Sequence, residues 1–390
     1  MSHGGRSGRR RASARVRRRR RLVATIAATV LVVILVATVT IAALTRTAPA
    51  PAADADADAS TAPETSAEPA PEATPLTPVE TLLASTDDPN ACAISFSGDG
   101  VDQAPVLQMQ GALYAGLPIP GLDGAVFAGW YATPEDAGAY NVPARVNGSE
   151  MVACTDRQVT LYAAWKTPEE NAAEDARIPI LMYHQFTTNP EGESGWLRGN
   201  YAYIGDFDAH MNHIATGGFY LPTWDELSAF IDGRLWLPNR SVIITDDDAH
   251  QTWLYLAVPV VDKYQLLTTS FVITRWRQDG APSPWVLQRS HTHDMHEAGA
   301  NGDGRITNYA VSEIVADMET SAQILGAKEV MAYPFGHYNE TAKEGLRQAG
   351  FEMARTIEPG YVTIGTDKLA LPTIRINYGM GLDALVNLIG

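Results

Sequence analysis

Residues 178 to 390 alternate short apolar runs of strand type with longer stretches of helical period, and this alternation constrains the fold more than any other feature. "IPILMYHQF" and "SVIITDDDAH" read as strands, "YLAVPVVDKYQ" as a helix, "TTSFVIT" as a strand, "AVSEIVADMETSAQILG" as a helix and "EVMAYPFG" as a strand. Apolar strands separated by helices pair in parallel, so the expected fold class is α/β, either an open layer or a (β/α) barrel. Chemistry in such folds gathers where strands run out into loops. One strand ends in three successive aspartates, Asp246, Asp247 and Asp248, followed by Ala249 and His250. Adjacent carboxylates repel and resist leaving water, so this end needs a counter-charge or solvent.

The histidines offer a way to supply it. Of nine in the chain, three fall within "SHTHDMH", at His291, His293 and His296. Two imidazoles and one carboxylate are a common shell for a catalytic divalent metal, with positions left for water and substrate. Which two of the three would ligate stays open from the residues alone; His291 and His293 form a His-x-His pair, and no two of the three stand at the helical i, i+4 spacing, so a loop has to aim at least one ring.

In their order and spacing, "ILMYHQF", "IITDDDAH", "TTSFVIT", "SHTHDMH" and "MAYPFGHYNETAKEGLRQAGFEMARTIEPGY" resemble the NodB-like polysaccharide deacetylases, carbohydrate esterase family four. The branch acting on poly-N-acetylglucosamine is the nearest in pattern. The resemblance covers 178 to 390 and implies a distorted (β/α) barrel with metal-dependent removal of acetyl groups from N-acetylated polysaccharide. Carried over position by position, it implies Asp247 as general base and Asp248, His291 and His296 as ligands of a divalent metal, zinc by first choice. It also implies the backbone N–H of Phe335 in "YPFG" as oxyanion donor. No histidine follows His337, so the leaving-group acid falls on His184 in "LMYHQF", the Tyr-His motif of that branch.

Three positions depart from the pattern. Asp246 replaces an apolar phenylalanine and is expected to raise neighbouring carboxyl pKa values. Ala249 replaces a glycine at a turn. Ala332 stands where many members place an arginine that orients the base. These departures keep a catalytically impaired, carbohydrate-binding pseudoenzyme open as an alternative. Among the remaining candidates, Asp294 is expected to orient a ligand histidine, and His210, His213 and His250 to be structural or solvated. "NGDGRIT", 301 to 307, lacks the principal carboxylates of a calcium loop and reads as a turn. Trp253, Trp276 and Trp285 are candidates either for stacking on sugar rings or for the core.

The N-terminal part is organised differently. Residues 1 to 21 form a basic tail, and the eleven arginines up to Arg46 meet no acid, leaving 18 cations against 45 acids beyond it, a net of −27. Leu22 to Leu44 is an uncharged run long enough to cross a bilayer of about 30 Å. The arginines on its N-terminal side predict a single-pass signal anchor in the cell membrane with the body extracellular; a cleaved signal peptide is the rival. Arginines beside a span and an acidic body exclude a nucleic-acid partner. Residues 45 to 88, rich in Ala, Pro and acids, read as an extended linker.

Residues 89 to 166 carry short alternating runs between turn residues and read as a small β-rich module. "GWY" with "VTLYAAW" resembles the internalin-type B-repeat, which implies a β-grasp-like spacer or adhesion unit in contact with surface glycan. Adhesion through this module is the second alternative function. Cys92 and Cys154 both fall in the expected exterior portion, where a disulfide is permitted.

Overall fold

A computed structural model describes residues 75–390; the basic tail, the span Leu22 to Leu44 and linker residues 45–74 lie outside the described residues. Among the described residues no helix is long and apolar enough to cross a membrane. The N-terminal strands β1 (Ala91–Ser97), β2 (Val106–Met109), β3 (Val126–Tyr131), β4 (Arg145–Val146) and β5 (Gln158–Lys166) form one mixed sheet. Its order is β2-β1-β5-β3-β4, with β1 and β5 parallel at the centre. Cys92 on β1 is disulfide-bonded to Cys154, just ahead of β5, with 6.2 Å between their Cα atoms.

The strands that follow are β6 (Ile180–Tyr183), β7 (Gln185–Thr187), β8 (Tyr201–Tyr203), β9 (Ile243–Asp247), β10 (Thr268–Val272), β11 (Val286–Ser290), β12 (Val330–Ala332), β13 (Met353–Pro359) and β14 (Leu371–Arg375). Seven of them close a barrel in the order β10-β11-β12-β13-β14-β6-β9, and each adjacent pair is parallel. β7 and β8 pair beside it. Closure buries both faces of the strands. Along β9, Ile243 joins Phe271, Val330, Met353 and Leu371 in one core cluster, while Ile244 joins Leu181, Val242 and Val261 in another. Side chains alternate along a strand, so Thr245 and Asp247 follow Ile243 into the barrel and Asp246 follows Ile244 outward.

Two segments expected to be irregular contain helices. Pro78–Ala84 lies inside the expected linker, and Pro168–Ala173 lies in the polar connector between module and barrel. Both begin Thr-Pro-x-Glu. Thr77 and Glu80, and likewise Thr167 and Glu170, exchange side-chain and backbone bonds as reciprocal caps. Proline at the first helical position has no N–H to lose there. Local capping therefore makes two short helices that composition alone does not suggest.

The N-terminal sheet is not a free spacer. β3 is buried along its whole length, with Phe127 and Trp130 in the cluster that includes the barrel floor and Val126, Ala128 and Tyr131 against Trp236. The Phe127 N–H donates to Arg234 O (3.0 Å), and the Trp236 N–H donates to Phe127 O (2.8 Å). Arg145 crosses the junction to Glu226 (3.1 Å), which also accepts from Asn147 Nδ2 (2.6 Å) and Tyr220 Oη (2.5 Å). Gly129, at φ 110°, makes this crossing possible, because a Cβ there would stand 2.3 Å from Arg145 Nε. The module and the barrel thus share one core and one buried ion pair. Removing one partner of such a pair leaves the other charge buried and alone, so Glu226→Ala is expected to lower stability by about 3–5 kcal/mol. Urea unfolding of the full chain checks this; a loss under about 1 kcal/mol, the range of a surface pair, contradicts the account.

Candidate active site

The residues singled out by sequence converge on one end of the barrel. His184 follows β6, Asp247 ends β9 with Asp248 next to it, His291 and His296 follow β11, and Phe335 follows β12. Each sits at the C-terminal end of a strand, where loops leave the parallel barrel.

Asp248, His291 and His296 bring their ligand atoms within 4.8 Å of one another, the one such cluster among the described residues. Asp248 Oδ1 lies 3.4 Å from His291 Nε2 and 3.2 Å from His296 Nε2. Nδ1 of His291 stands 2.8 Å from Ala332 O, and a carbonyl only accepts, so Nδ1 carries a proton and Nε2 is the nitrogen that faces the cluster; burial pushes the His291 pKa down, but the neighbouring Asp248 and Asp247 carboxylates raise it overall. Asp248 Oδ1 is a buried oxygen without a hydrogen-bond partner. Burial pushes the Asp248 carboxyl up, but the His291 and His296 rings outweigh it and hold it well below the usual carboxylate range. Burial and the neighbouring His291 push His296 down to about 4, so it is neutral at pH 7 and free to ligate. An unpaired anionic oxygen facing two imidazole nitrogens fits a divalent cation. His293 is not in the cluster; its Nδ1 stands 3.1 Å from Thr274 Oγ1.

Asp247 points into the barrel, and both of its carboxylate oxygens accept from the Arg355 guanidinium. Burial works against ionising Asp247, yet Arg355 first, then His184 and His291, bring its pKa below the ordinary value. His184 Nε2 stands 3.7 Å from Asp247 Oδ2. Burial lowers the pKa of His184, with Asp247 and Asp248 pulling the other way. Phe335 sits at φ 59°, with its ring centroid 4.5 Å from that of His296.

Arg355 was not anticipated. The base-orienting arginine is absent at Ala332 on β12, and Ala332 pairs in register with Arg355 on β13. The neighbouring strand therefore supplies the guanidinium. The available signal was an arginine inside "FEMARTIE", where an inward position on a buried strand demands a charged partner.

The other departures also find local explanations. Asp246 faces outward, fully buried, and accepts from Ser270 Oγ (2.9 Å). Burial first, and then the charges of Asp247 and Asp248, push its carboxyl well above the ordinary value. Against the expectation that Asp246 raises its neighbours, Asp247 and Asp248 both end below the ordinary value, because Arg355 and the surrounding histidines outweigh the forces that raise them. Ala249 adopts φ 46°, the left-handed conformation that glycine takes freely. Asp294 pairs with Arg275 and Arg305. Of the three tryptophans, Trp253 and Trp285 are core, whereas Trp276 is 64% exposed with its ring 6.2 Å from His296. "NGDGRIT" is a turn closed by an Ala298–Gly304 bridge, with His337 Nδ1 accepting from the Gly304 N–H.

Comparison with known proteins bears on the same segment. Residues 237–354 match the family described as Polysaccharide deacetylase. The chain is 26% identical to YxkH of Bacillus subtilis, over 59% of this chain and 90% of that protein. It is 25% identical to the poly-β-1,6-N-acetyl-D-glucosamine N-deacetylase of Staphylococcus aureus strain MRSA252, over 36% of this chain, and spans 56% of that enzyme's length. Among solved structures, the Streptococcus pyogenes deacetylase PplD in complex with acetate superposes with a TM-score of 0.47 at 21% identity, covering 55% of this chain and 99% of that one.

The placement of the three histidines makes a direct expectation. In a Zn2+ competition titration of the full chain, His296→Ala weakens binding by more than about 100-fold, the upper end for outer-sphere changes. His293→Ala leaves it nearly unchanged. The reverse order would move the ligand to His293.

Proposed function

We propose that the chain, whose residues 237–354 match the polysaccharide deacetylase family, is a metal-dependent hydrolase that removes N-acetyl groups from an N-acetylglucosamine polymer of the cell envelope or biofilm matrix. The observation that carries this reading is the pairing of two distinct carboxylates at one strand end: Asp248 turned to His291 and His296, and Asp247 held by Arg355 beside His184. One carboxylate for the cation and its neighbour for a proton is what hydrolysis of an unactivated amide requires.

Asp248, His291 and His296 hold the divalent cation, zinc by first choice. When bound, it polarises the acetamide carbonyl and increases the acidity of the attacking water. Asp247 takes the water proton; Arg355, buried and bound to both of its oxygens, keeps it ionised and aimed. The backbone N–H of Phe335 receives the oxyanion as the carbonyl carbon becomes tetrahedral. His184 gives a proton to the nitrogen as the C–N bond breaks, leaving acetate and a free amine. Its acid form is disfavoured by burial and favoured by Asp247 and Asp248, so the same carboxylates that serve the base and the metal support the acid. Trp276 offers an exposed indole at the rim, suited to the apolar face of a pyranose.

The pseudoenzyme alternative rested on Asp246, Ala249 and Ala332. An Asp246 that faces out of the barrel and an arginine supplied by β13 favour the enzyme over it, while the left-handed Ala249 keeps its strain. In the same proposal Leu22 to Leu44 anchors the chain in the cell membrane with the enzyme outside, and the N-terminal sheet braces the barrel floor.

Acetate release by the full chain from N-acetylglucosamine oligomers is the test. Asp247→Asn is expected to reduce kcat by about 10²–10⁴-fold, the usual contribution of a positioned base. Trp276→Ala is expected to raise KM with kcat little altered. Acetate release that survives Asp247→Asn rejects the base, and release from no N-acetylated glycan rejects the proposal.

A further inference from the structure

His291 and His296 belong to one loop, and something other than a helix has to set their geometry. The four intervening residues, Thr292 to Met295, each have a backbone N–H that a side-chain oxygen accepts. Ser290 Oγ accepts from Thr292 (3.1 Å), and Thr292 Oγ1 accepts from Met295 (3.2 Å). The two central amides, of His293 and Asp294, both donate to a single carboxylate from another element: Asp317 Oδ1 and Oδ2, at 2.7 Å each. Asp317 lies in the middle of the helix Val311–Leu325. The loop has little freedom to find this shape unaided, since Thr292 sits at φ 71°, a strained value for a β-branched residue. Met295 is fully buried in the cluster formed with Ile314 and Met318 of the same helix, which holds Asp317 over the loop.

We infer that Asp317 is a positioning residue for the metal site: its carboxylate, spanning the two central amides, sets the distance and angle between His291 and His296. The inference rests on the reading of Asp248, His291 and His296 as ligands. It assigns a distinct job to a side chain that touches neither ligand ring nor substrate. A charged acceptor bonded to two N–H groups is worth more than two neutral bonds and cannot be replaced by water in one geometry. Asp317→Asn keeps the shape but offers one acceptor oxygen, turning a donor toward the second amide. Asp317→Ala removes both acceptors.

The test is Co2+ titration of the metal-free full chain, followed by the visible absorption of the bound ion, which responds to ligand geometry independently of turnover. Asp317→Asn is expected to weaken Co2+ binding about tenfold and Asp317→Ala up to about 100-fold, the range for side chains that orient ligands. Both should alter the visible band, with the metal-free urea midpoint of Asp317→Asn close to wild type. Glu319→Gln, an exposed carboxylate on the same helix, should change nothing. Should Asp317→Ala fail to fold, the isosteric Asp317→Asn decides. Wild-type affinity and spectrum in folded Asp317→Asn overturn the inference while leaving the ligand assignment intact. A wild-type chain that takes up no Co2+ overturns the ligand assignment and this inference with it.

Discussion

The chemistry proposed for this barrel depends on one buried ion pair, that between Arg355 and Asp247. A carboxylate almost fully removed from water would ordinarily be protonated, and a protonated Asp247 is useless as a base. The guanidinium reverses that preference through bonds to both oxygens. Arg355 is itself fully buried; it also reaches the Met182 sulfur (2.7 Å) and the Thr356 carbonyl (2.9 Å) and lies over the Phe271 ring. Neither partner is tolerable alone, so the pair costs stability when broken without adding much to it when intact. Its value is an anionic group held inside the barrel.

Strand geometry then divides the labour. On β9 the period of two sends Asp247 inward and Asp246 outward, where burial raises its pKa and Ser270 donates to it. Asp248 lies just beyond the strand, where φ 75° turns its carboxylate toward the loop histidines. Ala249, Thr292 and Phe335 also carry positive φ around the same site. Each such non-glycine residue costs about 1–3 kcal/mol, and the close-packed barrel below is what can sustain it. The N-terminal sheet contributes from the opposite side by completing the cluster beneath the strands.

Much of this was legible in the sequence, for reasons that differ by residue. The alternation of apolar strands and helices indicates a parallel α/β fold, because periodicity reports burial. Asp247, Asp248, His184, His291, His296 and Phe335 could be gathered because the motifs that hold them resemble, in order and spacing, those of the NodB-like deacetylases. Arg355 could not, because three strands separate it from Asp247 along the chain and its partner depends on which strands close the barrel. Asp246 looked like an electrostatic burden because the run of three aspartates hides which side of the strand each one faces. The module looked like a spacer because nothing local to Phe127, Arg145 or Glu226 reveals that they meet.

The central claim is that a cation at Asp248, His291 and His296 and a base at Asp247 act together on an N-acetylated sugar. The most direct measurement is acetate release from N-acetylglucosamine oligomers by the full chain before chelation, after chelation and dialysis, and after Zn2+ is restored. The account predicts release that disappears with the metal and returns with it. Release that continues undiminished in protein verified as metal-free would contradict it.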